Sequence, residues 1–317
     1  MEQAKLYSEI ADGPSQGAAY WVQTDDNVRV RVGTYGSSKD RKGTILLFLG
    51  RFGYIERYGR VAKDFDKNGF STVVIDWRSQ GLSDRMADDP HTGHIHRFSD
   101  YQKDVAAMVK AAEELDLPKP WYLVGVSMGA CIGLRAMLEG LPVAATALIS
   151  PMFGIKMSPL QRIAAWPLSW AAQKIGKGHI YVPGESGEIY MLTTPFEKNN
   201  LTRNSDMYEY WVDQARTVPD LQIGGPSMAW LYQGLSECRS LSKMHSPDIP
   251  CITFCGELDE LVDNRAIKDR MERWPNGTFE VIKNAKHDVL TEIPEIGGEV
   301  MNQIVEFFSG TKPMGSA

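Results

Sequence analysis

The feature that most constrains this chain is the stretch WYLVGVSMGACIGLRAM, residues 121–137. Residues 121–126 form an apolar run with aromatic and β-branched side chains, the composition of a buried strand. Gly125-Val126-Ser127-Met128-Gly129 follows, and then small and apolar residues at helical spacing. A G-x-S-x-G between strand and helix describes a nucleophile elbow, a strained turn that presents a serine hydroxyl at the top of a sheet. Such a turn leaves no room for bulk on either side, which glycine satisfies. Ser127 is then the candidate nucleophile, with the Met128 N–H aimed at a developing oxyanion. The alternative is a glycine-rich turn with an incidental serine, and in a chain with 29 Gly the remaining sequence has to decide.

Strand-like runs at residues 44–49, 71–75, 121–126 and 143–149 alternate with helix-like runs at 55–67, 99–115 and after Ser127. Val105, Met108, Val109 and Ala112 share one face of the second helix, and Ser99 is placed to cap it. This rhythm predicts right-handed βαβ units and an α/β fold with a mostly parallel sheet. Ahead of it, residues 19–22 and 28–32 flank Thr24-Asp25-Asp26-Asn27, a hairpin signal. The rhythm stops after residue 150 and resumes with a strand at 249–255, a helix at 262–274, a strand at 278–282 and a terminal helix at 293–308. The expected division is therefore a core from residues 1–150 and 246–317, with 151–245 inserted as a helical cap built of short helical patches. Residues 309–317 are expected to fray.

A net charge of −6 argues against nucleic acid as a partner. The four cysteines show no disulfide framework, the N-terminus lacks a signal-peptide pattern, and no apolar run approaches the roughly 18 residues of a membrane span. A soluble, cytoplasmic protein is the expectation. Cys251 and Cys255, four apart on one strand, read as buried thiols. His91, His94 and His96 lack an acid or thiol to complete a zinc set, so His94 is expected to order the loop before the helix at 99–115.

A hydroxyl nucleophile needs a base and an orienting acid. Asp259 stands just past the strand at 251–255, and His287 just past the final strand. Sites of parallel α/β sheets assemble along that edge, and the order Ser…Asp…His is the one a nucleophile elbow is used with. Ser127, Asp259 and His287 form the expected triad. Asp263 is a rival acid at a helix start, where a carboxylate commonly serves the helix dipole.

At this point the chain resembles, from about residue 20 to residue 310, the α/β-hydrolase serine hydrolases, and within them the bacterial lysophospholipases and monoacylglycerol lipases. The resemblance is carried by Gly50-Arg51, Glu56-Arg57-Tyr58, the run Asp76-Trp77-Arg78-Ser79-Gln80-Gly81-Leu82-Ser83, Gly93-His94, Arg97-Phe98-Ser99-Asp100-Tyr101, Asp104, Gly125 to Gly129, Gly256-x-x-Asp259 and His287. In the cap, Gly224-Gly225-Pro226 and Trp230-Leu231 add to it. It implies an ester hydrolase that needs no cofactor and no metal. It also implies that the Arg51 N–H is the second oxyanion donor, with Phe52 as the fallback. Two departures stand out: Leu49-Gly50 where most of the superfamily has His-Gly, although this branch also lacks that histidine and reads Gly-Arg, and Ser79 where the family usually has glycine together with Gly53 where this branch often has an acid.

Between Met152 and Gly184 the cap carries Lys156, Arg162, Lys174 and Lys177 and no acid, interleaved with apolar side chains. This composition suits an acyl chain below and a lipid surface above, predicting weak peripheral membrane contact. Phe52, Trp166, Trp170 and Trp230 are the expected substrate-contacting residues. The alternatives are a short-chain esterase, an aminopeptidase-like hydrolase using Glu185, Glu188 or Glu197 to hold an amine, and a binding protein on a hydrolase scaffold.

Overall fold

The computed structural model describes residues 1–36 and 38–311. In chain order its elements are β1 (Glu2–Ala4), α1 (Ser8–Ala11), β2 (Gly17–Gln23), β3 (Arg29–Tyr35), β4 (Thr44–Phe48), α2 (Gly59–Lys67), β5 (Ser71–Asp76), α3 (Tyr101–Glu114), β6 (Trp121–Val126), α4 (Met128–Leu138) and β7 (Ala145–Ile149). There follow α5 (Pro159–Lys174), α6 (Tyr190–Thr193), α7 (Ser205–Thr217), α8 (Met228–Leu241), β8 (Cys251–Gly256), α9 (Asn264–Met271), β9 (Gly277–Ile282) and α10 (Pro294–Gly310).

Among the described residues one nine-stranded sheet runs β1-β2-β3-β5-β4-β6-β7-β8-β9. Its first four members pair antiparallel and the rest parallel. The continuous apolar runs of β4, β6 and β7 are buried at every residue, as strands covered on both faces must be. The strand order reverses at β4, which has β5 on one side and β6 on the other. That reversal opens a crevice beyond the C-terminal ends of β4 and β6.

The sequence-based boundaries shift in ways with local causes. The helix at 55–67 begins as a 3₁₀ turn, Ile55–Tyr58, before α2. A 3₁₀ turn at Phe98–Asp100 likewise precedes α3, so Ser99 lies inside the turn and does not cap the helix. Between β7 and β8 the helices are longer than expected, α5 reaching 16 residues and α8 14. Pro167 inside α5 hid its length, since proline removes a donor from a helix interior. The start of α5 was legible: Ser158 accepts from the Gln161 N–H, the Gln161 side chain returns to the Ser158 N–H, and Pro159 takes the first turn. α10 runs through Ser309 and Gly310, where fraying was expected; residues 312–317 lie outside the described residues. No described helix is long and apolar enough to cross a membrane.

A cluster of fully buried charges joins β3, β5 and the turn before α2. Arg31 on β3 is wholly buried; its Nε donates to Asp76 Oδ2 at 2.7 Å, and Nη1 and Nη2 donate to the two oxygens of Glu56 at 2.8 and 2.7 Å. Asp76 also accepts the N–H groups of Ile55 and Leu82. The N-terminal segment closes the cluster: Lys5 O accepts from Arg31, and the Tyr7 N–H donates to Glu56. Removing one partner of a buried ion pair leaves a desolvated charge uncompensated. Arg31→Met is therefore expected to lower stability by about 3–5 kcal/mol, read as a fall in the urea midpoint.

Candidate active site

The elbow is built by steric exclusion. Ser127 sits at φ 52°, ψ −115°, a strained conformation for a residue with a side chain. A Cβ on Gly125 would lie 2.7 Å from Ala130 Cα, and one on Gly129 only 2.1 Å from Phe48 O. Both glycines are needed because the backbone folds onto itself and onto β4. The turn is pinned by the Ser127 N–H to Ile149 O and by the Met152 N–H to Ser127 O.

Asp259 follows β8 and is buried. One oxygen, Oδ1, accepts the N–H groups of Leu261 at 2.7 Å and Val262 at 3.2 Å; the other lies 2.7 Å from His287 Nδ1. Burial pushes the Asp259 carboxyl up, but the imidazole and the two N–H groups outweigh it and hold the acid below its ordinary value. With Nδ1 engaged by a carboxylate, the imidazole keeps Nε2 as its proton acceptor. The loop carrying His287 is tied to the chain between α6 and α7, where Asn200 O accepts the His287 N–H and Leu201 O the Asp288 N–H. Asp263, the rival acid, caps α9 through the Arg265 N–H and meets Arg162 at 3.3 Å.

Ser127, Met128, Arg51, Phe52, Trp230 and His287 all line one cavity of about 310 Å³. Trp166 and Trp170 are not among its lining residues. Trp166 is half-buried against Tyr232 and Arg239, while Trp170 is 47% exposed on α5. Position along a helix that is only thinly buried on one side could not be read from composition.

The loop after β4 is a tight turn closed by the Gly53 N–H to Gly50 O, with Phe52 at φ 68°. Gln80 Oε1 accepts the Phe52 N–H at 3.0 Å. Among the described residues the N–H groups of Arg51 and Met128 find no acceptor. The Arg51 guanidinium stacks 4.0 Å over Phe52 and donates to Gly224 O at 3.0 Å. Gly93 bridges to Pro226, so two separate stretches of the resemblance meet there. His94 belongs to the same junction, its Nδ1 2.9 Å from Ser227 Oγ, which caps α8. Ser79 takes φ 65°, the left-handed conformation glycine would supply, and its hydroxyl accepts the Met86 N–H.

Three contributors went unnoticed in the sequence. Lys156 Nζ holds Asp259 O at 2.7 Å, and Gln80 holds the loop after β4. Asp288 joins Arg57 and Tyr58 in the cavity wall. Burial raises the Asp288 carboxyl, with Arg57 opposing. An acid directly after the candidate base was the available signal.

The sheet order, the strained serine after β6 and the acid–histidine pair after β8 and β9 define an α/β-hydrolase fold. The chain belongs to the family described as serine aminopeptidase, S33, whose model matches residues 39–294. It is 29% identical over 310 residues to lysophospholipase L2 of Escherichia coli, covering 92% of this chain and 89% of that one. Among solved structures, a soluble variant of monoglyceride lipase from Saccharomyces cerevisiae superposes with TM-score 0.68 at 16% identity, over 91% of this chain and 94% of that one. A carboxyl esterase from Bacillus coagulans gives 0.71 at 15%, over 93% and 98%. At those identities the structures speak to fold alone.

The two acids are separable by experiment. Asp259→Asn is expected to lower kcat by orders of magnitude through loss of imidazole orientation, and Asp263→Asn to change it little. Steady-state kinetics on a soluble ester, with the fold checked by circular dichroism, reads both; reversed effects would make Asp263 the triad acid.

Proposed function

We propose that the protein is a carboxylic ester hydrolase working through Ser127, His287 and Asp259, with lysophospholipids or monoacylglycerols as its substrates. The observation that carries the reading is the 2.7 Å contact between buried Asp259 and Nδ1 of His287, which lines the same cavity as Ser127. His287 Nε2 takes the Ser127 proton as Oγ attacks the ester carbonyl, and Asp259 stabilises the imidazolium. The N–H groups of Met128 and Arg51 receive the oxyanion, each donor contributing about 3 kcal/mol to the transition state. What supports Arg51 over Phe52 is that the Phe52 N–H is already taken by Gln80. The imidazolium then protonates the leaving alcohol, and water attacks the acyl-enzyme by the same route.

The lipid ester reading rests on kinship with lysophospholipase L2 and on the apolar wall of Met152, Ile155, Leu261, Val262 and Trp230. For an aminopeptidase-like reading, only Glu185 of the three cap acids lines the cavity among the described residues. Ser127→Ala is expected to abolish fluorophosphonate labelling and nearly all ester hydrolysis while keeping the fold. Undiminished labelling of a folded variant would remove Ser127 from the mechanism.

The cap is the proposed contact with anionic lipid, at the cytoplasmic face of a membrane. α5 and the chain after it expose Leu160 at 77%, Ile163 at 75%, Ile175 at 69% and Trp170 at 47%. Of the four basic residues, Lys156 is committed to Asp259 O and Arg162 to Asp263, while Lys174 and Lys177 form no ion pair among the described residues. An exposed apolar helix face with free cations matches anionic headgroups over acyl chains. Reversing Lys174 and Lys177 to Glu is expected to weaken salt-sensitive co-sedimentation with anionic vesicles and leave soluble-ester hydrolysis nearly unchanged. Equal losses in both assays would return α5 to an ordinary packed helix.

A further inference from the structure

The cap and the candidate acid meet in a small hydrogen-bonded clasp. Gly154, Ile155 and Lys156, which lead into α5, run antiparallel to the turn that follows Asp259. Ile155 bridges Val262, the Lys156 N–H donates to Leu261 O at 3.0 Å, and the Asp263 N–H donates to Gly154 O at 2.9 Å. Leu261 and Val262 are also the residues whose N–H groups hold Asp259 Oδ1. Among the described residues, the backbone from Glu260 to Asp263 bonds to no strand of the sheet; its partners outside the turn lie in the cap and in α9. Lys156 adds a third rung, its Nζ donating to the main-chain oxygen of Asp259 at 2.7 Å. That contact fixes the peptide plane from which the turn starts. The oxygen that faces His287 Nδ1 is therefore aimed by a turn that the cap holds.

We propose that Lys156 is a positioning residue for the acid–histidine pair, and that the cap sets the aim of Asp259 through it. A lysine held at one carbonyl gives up rotamer freedom, while water offers its ammonium equivalent hydrogen bonds elsewhere. What the contact adds is direction. A charged donor on a carbonyl oxygen makes a short hydrogen bond, about twice as strong as a neutral one. In a triad the carboxylate works by orienting the imidazole, and a misplacement of about 1 Å costs about a hundredfold in rate. Lys156 is not among the residues that line the cavity, so it acts through Asp259 and not on the substrate. This inference rests on the ester-hydrolase reading above and deepens it, making the cap part of how the acid is set.

The test reads turnover and the acid–histidine contact separately. On a soluble short-chain ester, Lys156→Met is expected to lower kcat about tenfold and to leave KM within about twofold of wild type. Lys156→Arg keeps a charged donor and is expected to recover kcat to within about threefold. Proton NMR gives a readout that needs no substrate. The far-downfield resonance of the proton between His287 Nδ1 and Asp259 is expected to move upfield or broaden in Lys156→Met and to return in Lys156→Arg. Should Lys156→Met not fold, Lys156→Gln, polar but too short to span the same gap, carries the comparison. A folded variant with wild-type kcat and an unmoved resonance would overturn the proposal. A fall in kcat and thermal midpoint with the resonance unmoved, or a loss that Lys156→Arg does not relieve, would also overturn it, leaving Lys156 a tie of the cap alone. A resonance that answers to Lys156 in a protein without ester hydrolysis would uphold the positioning role and remove the hydrolase reading.

Discussion

The carboxylate of Asp76 is the point on which the working end of this molecule depends. At the C-terminal end of β5 it accepts Arg31 Nε, the Ile55 N–H and the Leu82 N–H. One acid therefore joins β3, the loop after β4 and the loop after β5. The second carboxylate, Glu56, meets the same guanidinium from within the 3₁₀ turn that follows the loop after β4. Burying three charges gives little net stability, because desolvation offsets most of the attraction. What the cluster supplies is definition. The chain from Gly50 to Tyr58 has no regular strand or long helix to hold it, and these hydrogen bonds do so instead. Gln80 adds to this by taking the Phe52 N–H, so the N–H left over in that turn is the one before it.

The crevice and its contents follow from the strand order. β4 and β6 are neighbours, so Gly50 and Ser127 emerge side by side; a Cβ on Gly50 would lie 3.2 Å from Ser127 Cβ. β8 and β9 are neighbours in the same way, and their ends come closer still: a Cβ on Gly256 would fall 1.9 Å from Lys286 O. The acid and the histidine are thus held together by backbone contact before any side chain interacts. Acid–base geometry of this kind is preorganised by the sheet itself.

Much of this was legible in residue order, and the rest was hidden for identifiable reasons. The apolar runs named the central strands to within a residue or two, because burial on both faces leaves few alternatives to continuous hydrophobicity. Ser127 and Asp259 were candidates because each stands just past such a run, and His287 because it follows β9, an edge strand with little burial; of the three, the Asp259–His287 contact is the part the structure displays. β1, three residues long, carries no pattern to detect. Between β7 and β8, α5 buries only Ser169 and Ala172, so it lacks the amphipathic contrast that reveals a helix, and the depth of Trp166 and Trp170 could not be read from its residues. The role of Lys156 escaped because it comes from a long-range contact that spacing cannot encode, whereas Asp288 was passed over although it directly follows the candidate base. The aromatic and basic content of α5 was read correctly as composition, but which cations are free depended on Asp259 and Asp263 being within reach.

The first residues of the chain reach further than their place at the sheet edge suggests. Lys5 lends its carbonyl to Arg31, Tyr7 lends its N–H to Glu56, and the carbonyl of Ala11 takes the Tyr210 hydroxyl from α7. The amino terminus is thus wired to both the loop after β4 and helix α7. A protease that trimmed the chain past Tyr7, or a bulky tag that pulled the segment from its groove, would strand polar groups beneath the catalytic crevice. Damage inflicted far from the cavity would then register as a change in turnover, and the same tether offers a natural handle for anyone wishing to tune the enzyme from outside its active site.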